Sequence, residues 1–246
     1  MENTFSMKSF KASFFYTWSI LFLFITVIGF LPTFILRPLF RETSLPSYLI
    51  IHGIFMLFWF AIYFVQNLWV KQNKLLNHKK FGMYWFLLAV FMVISNFNVV
   101  VHLSNEIVSG QMTYFGKIRT YENSGGFIIG NLYITIFSSL FLLLAFLKRN
   151  KPEAHRRAIF GASFILLTPA FDRFIRPFGL PEIFQYVGSF VIPISLLIYD
   201  LKIRKKIHPM TWGVMAMTFL MIPVLMSIMN NESYIKQIVL IIYNFH

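Results

Sequence analysis

The sequence predicts an all-α fold, a polytopic transmembrane bundle of seven spans in a single domain. Three observations carry that prediction. Of 246 residues, 57% are hydrophobic and only 13% charged, a balance that hydrocarbon tolerates and a soluble core of this size does not. The apolar residues fall in runs of about 20, the length a helix needs to cross a bilayer core of roughly 30 Å. Short basic clusters separate the runs, as expected of loops.

The first run, about 14–36, is too long for a cleaved signal, and no small-x-small site follows it. The second covers about 46–70 and the third about 81–105. A polar segment, about 106–126, is too short for a domain. The fourth run covers about 127–147. The fifth, about 157–178, is the least apolar, holding Pro169, Asp172, Arg173 and Arg176. The sixth and seventh cover about 182–201 and 210–229. Backbone groups inside such runs must bond internally, which makes helices the viable form. The tail "SYIKQIVLIIYNFH" is apolar but too short to span, and reads as an interfacial helix. Residues 1–246 thus form one membrane domain with no soluble module.

Composition also narrows function. With no cysteine, disulfides, thiolate metal sites and cysteine nucleophiles are excluded. The net charge of +13 sits in interhelical clusters, which points to membrane topology and away from nucleic acid. Seven spans place 15 basic and three acidic residues on one side, against seven and six on the other, or +12 against +1. The positive-inside rule then predicts a cytoplasmic N-terminus and an external C-terminus.

Polar side chains within the spans are the candidates for function, because each costs free energy in hydrocarbon. On the second span His52, Met56, Trp59, Tyr63 and Gln66 recur at spacings of four and three, one helix stripe. The third span carries Ser95, Asn98 and His102, the last two at i, i+4. Chain reversal brings His102 toward the same surface as His52, and Asp172 and Arg173 of the fifth span reach it too. An outer constellation of His52, Asn98, His102, Asp172 and Arg173 is therefore expected. At the other surface "NHKKFG" and "AHRRAIFG" place His78 and His155 at two helix entrances.

Paired histidines on antiparallel helices can supply both axial ligands of haem b iron. The expected pairs are His52 with His102 and His78 with His155, exchanging electrons with a redox partner or a quinone. Alternatively, His52, His102 and Asp172 offer the nitrogen and oxygen donors of a zinc-dependent hydrolase. A third reading is a non-catalytic assembly, lipid- or solute-binding factor, its basic residues meeting lipid phosphates.

The segments "HGIFMLFWFAIYFVQ", "HKKFG", "KPEAHRRAIFGASFILLTPAFDR" and "YDLKIRKKIHP" resemble, in order, a family of bacterial multi-span membrane proteins with no assigned activity. The resemblance covers roughly residues 46–215. It implies the multi-span architecture and singles out His52, His78, His155, Arg173 and His208. A weaker similarity, to ascorbate-reducible b-type cytochromes, implies haem ligation by histidines. Those proteins carry four histidines on four successive helices, whereas here the third span holds two and the fourth none.

Overall fold

The computed structural model describes residues 2–40, 44–110, 113–114, 117–118, 120–175, 183–229 and 231–244. Arg41, Glu42, Arg119, Arg176 and Glu182, which entered the charge comparison, lie outside them. Among the described residues the regular structure is helical apart from a short antiparallel ladder, Thr113–Tyr114 with Lys117–Ile118. Among the described residues five helical stretches are long and apolar enough to cross a membrane: Ser13–Ile35, Ser47–Lys71, Leu75–Val108, Gly125–Leu147 and Pro152–Ile175.

Helix α1 spans Glu2–Phe30 and continues as a π-helical turn over Leu31–Ile35. Pro32 lacks an N–H there, and the wider turn is closed by Leu36 N–H donating to the Leu31 carbonyl at 2.8 Å. A four-residue helix α2, Arg37–Phe40, precedes α3, Ser47–Lys71. The long α4, Leu75–Val108, starts six residues before the expected third span. The helix thus takes in "NHKK", because lysines at a helix end can reach water while the backbone stays bonded. Then follow α5, Tyr121–Leu147, and α6, Pro152–Ile175. Pro152 suits the first helical position, where its missing N–H costs nothing. The chain ends with α7, Ile183–Arg204, α8, Pro209–Met229, and α9, Glu232–Tyr243.

Helix α6 is the hub. It packs on α1, α5, α7 and α8, and Phe160 through Leu167 are buried without a break. Small residues make this possible, since the bundle has no hydrophobic drive between helices in lipid and depends on close contact. Gly161 is one example: a Cβ there would lie 2.7 Å from Val214. Gly29 of α1 is the tighter case, since its Cβ would sit 2.3 Å from the Ala170 carbonyl oxygen. Pro169 interrupts α6 and leaves the Ile165 carbonyl without its helical donor, but the Thr168 hydroxyl donates to that oxygen at 2.9 Å.

A second core joins α4, α5 and α9 through Val100, Leu103, Ile128, Ile235 and Val239. The tail is a helix as expected, with its buried face resting on protein. The outer surface is apolar: Phe24, Ile51, Phe58, Ile94, Leu143 and Val191 are all exposed, a girdle that suits lipid. Inside, polar groups bridge helices. Asn96 donates to Thr135 at 2.8 Å between α4 and α5, and Tyr133 donates to the Met217 carbonyl at 2.5 Å between α5 and α8.

Candidate functional site

The α3–α4 hairpin sets the positions of most candidate residues. Its turn is closed by Asn73 in the left-handed region at φ 59°, a conformation asparagine tolerates better than most residues. Ring pairs Phe55–Phe91 and Trp69–Phe81 fix the antiparallel register.

His78, in the first turn of α4, meets His155, in the first turn of α6. Their ring centroids are 6.2 Å apart and the planes cross at 75°. His155 Nδ1 lies 2.8 Å from the Ala145 carbonyl oxygen. A carbonyl only accepts, so this nitrogen carries the proton, and Nε2 presents its lone pair. His78 Nδ1 is buried without a hydrogen-bond partner. Two imidazoles that grip one metal ion at about 2.0–2.1 Å from opposite sides hold their centroids roughly 6 Å apart. The 6.2 Å spacing equals that of two imidazoles on one metal ion, and the Ala145 contact is the outer hydrogen bond such a ligand uses.

Beside this pair lies a buried ion network that sequence reasoning missed. Arg157 and Asp200 are both fully buried. Arg157 donates to Asp200 Oδ1 through Nε at 3.0 Å and also through Nη2. Its Nη1 reaches the Glu153 carbonyl and Glu153 Oε2, each at 2.7 Å, and Glu153 also pairs with Arg156. Asp200 Oδ2 accepts from the His208 N–H at 2.8 Å and the Thr211 hydroxyl at 2.5 Å. One carboxylate thereby ties α6, α7, α8 and the α7–α8 turn. His208 finishes that turn, its Nδ1 accepting the Met210 N–H at 3.0 Å. Burial, with the Arg157 and Arg204 charges beside it, holds the His208 imidazole below its ordinary range and favours this neutral form. The signal was present in "AHRRAIFG" and "YDLKIRKKIHP", but the arginines read as topology signals.

At the opposite end the expected constellation divides. His52 Nδ1 lies 3.3 Å from Ser95 Oγ, and Arg173 is within electrostatic range of the ring. Arg173 itself donates to the Pro169 carbonyl at 2.8 Å and lies over Phe30. His102 stacks on Tyr48, with centroids 4.4 Å apart, and Tyr48 donates to Glu106 at 2.7 Å. His102 lies seven residues beyond Ser95 on α4, about 10 Å at 1.5 Å per residue. The depth match expected of His52 and His102 is therefore lost, because the α3–α4 register sets His52 level with Ser95. The proposed zinc set is not assembled either. Among the described residues no three His, Asp or Glu side chains gather as metal ligands, so His52, His102 and Asp172 do not form one site.

Asn98 is also corrected. It lies on the exposed face of α4, and the polar core position belongs to Asn96. The α3 stripe holds: Met56, Trp59 and Tyr63 are buried and His52 and Gln66 half-buried, with Gln66's amide atoms enclosed and unpartnered. No protein-family model, curated protein or solved structure matches the chain.

Proposed function

We propose that this is a seven-span protein of a bacterial inner membrane, N-terminus inside, whose His78–His155 pair holds the iron of one b-type haem. The spacing of those two rings, 6.2 Å, carries the reading. Bound there, the haem would supply one-electron transfer at its iron. The chain's own contribution is orientation and exclusion of water. Ala145 keeps His155 Nδ1 protonated and makes Nε2 the better donor. The Phe86–Phe146 and Trp69–Phe81 ring pairs flank the same end of the bundle. Helices α1 and α3 to α8 make the seven crossings, and α9 follows outside.

Protein purified in detergent from haem-replete cells should show a sharp Soret band and resolved α and β bands on dithionite reduction. His155→Ala and His78→Ala should each lose them, while His102→Ala should keep them. Colourless wild-type protein would overturn the haem reading. It would favour the second one, a non-catalytic membrane factor, which the engagement of His52 by Ser95 and His102 by Tyr48 supports independently. Orientation has a separate check. Alkaline-phosphatase fusions should be active at residue 116 and silent at 76, 152 and 206, and activity at 152 would refute the inside N-terminus.

A further inference from the structure

Polar atoms buried in a bundle core are nearly always hydrogen-bonded, so a local group of unbonded ones calls for an explanation. Such a group is carried by α3 and α4, inward of His78 along both helices. Trp59 Nε1, Tyr63 Oη, both amide atoms of Gln66 and Trp85 Nε1 are all buried without hydrogen-bond partners. Trp59 and Tyr63 are only 5% and 4% exposed. The neighbouring Asn67 amide donates to the Tyr63 carbonyl at 2.8 Å. Residues 59, 63 and 66 share one face of α3. The register set by Phe55–Phe91 and Trp69–Phe81 places Trp85 level with Tyr63, and His78 about one turn beyond Gln66.

The chemistry of this group is specific. Two indole N–H groups, a phenol and a primary amide are all donors, and none of the four residues is charged at neutral pH. A matching ligand is uncharged and rich in acceptor oxygens. It is also flat, because the surroundings are rings: Phe22 stacks on Tyr63 with centroids 6.1 Å apart, and Phe60 is fully buried beside them. A site reached through lipid further requires a lipid-soluble molecule. Gly82 lies between His78 and Trp85 on one face of α4, and a Cβ there would meet nothing within 4 Å, so no neighbouring helix covers α4 at that level.

We propose that this face binds the head group of a membrane quinone, its carbonyl oxygens accepting from Trp59, Tyr63, Gln66 and Trp85. As the electron partner of the His78–His155 centre, the quinone role rests on the redox reading above. Binding itself requires no haem, and the two can be tested apart.

The test titrates decylubiquinone into the full chain in detergent micelles and reads tryptophan fluorescence, since two indoles belong to the site. Saturable quenching is expected, with a reduced amplitude in Trp85→Phe. Gln66→Leu should weaken binding about tenfold, as loss of one hydrogen bond in a desolvated site does. Tyr63→Phe, which removes one hydroxyl from the same face, serves as the second variant should Gln66→Leu fail to fold. Quenching that rises linearly without saturation, or wild-type affinity in the folded variants, would overturn the proposal. Colourless protein with saturable quenching would remove the haem and leave the quinone site. A haem spectrum with unsaturable quenching would do the reverse.

Discussion

Arg157→Ala is expected to cost ~3–5 kcal/mol of stability, the range for removing one partner of a buried ion pair. The reason is the carboxylate left behind. Asp200 is fully buried, and its Oδ1 would lose both contacts from the guanidinium. Glu153 would lose a partner at the same time, although Arg156 still reaches it. Thermal unfolding of the detergent-solubilised protein, followed by the loss of monodisperse protein on size exclusion, should show a large drop in midpoint. The double variant Arg157→Met, Asp200→Leu should regain part of the loss, because no buried charge remains. Recovery should be incomplete, since the His208 N–H and Thr211 hydroxyl lose their acceptor. A midpoint for Arg157→Ala within about a degree of exposed Arg149→Ala, expected within ~0.5 kcal/mol of wild type, would refute the structural role of the network.

Gly29→Ala is the second large effect, and its direction opposes helix propensity. In a helix interior, alanine is normally favoured over glycine by roughly 0.5–1 kcal/mol. Here the new methyl would sit 2.3 Å from the Ala170 carbonyl oxygen and 3.3 Å from the Phe174 nitrogen, both backbone atoms that cannot rotate away. Helices α1 and α6 would have to separate, at a cost of ~1–3 kcal/mol by analogy with overpacked cores. Gly130→Ala is the control. Its Cβ would meet nothing within 4 Å, so it should leave the unfolding midpoint unchanged or raise it slightly. Equal behaviour of the two variants would show that α1 and α6 do not approach each other this closely.

The helices were largely legible because their determinants are local. Apolar runs set the spans, and α3 begins and ends within one residue of expectation. The interior was legible only where one helix sufficed, as in the stripe from His52 to Gln66. Asn96 and Asn98 differ by about 200° around α4, so only one of them can face inward. Their spacing from His102 favoured Asn98, and Thr135 on another helix decided for Asn96. Arg157 was hidden for a related reason. Its sequence neighbours suit a helix end at the membrane surface, and its partner lies 43 residues away. Charge counted by side of the membrane cannot tell a solvated arginine from a sequestered one. The His78–His155 pairing was anticipated, whereas the separation of His52 from His102 depended on the register of α3 against α4, which contacts between the two helices set.

The Glu153 contact has a consequence for biogenesis. Arg157 is synthesised 43 residues before Asp200, so α6 is made before the α7 residue that becomes its buried counter-ion. Glu153, one helical turn earlier on the same helix and hydrogen-bonded to the same guanidinium, is the acidic partner that α6 supplies for itself. Because Arg156 shares that carboxylate, two guanidiniums face one acid on α6, and Asp200 of α7 brings the group to neutrality.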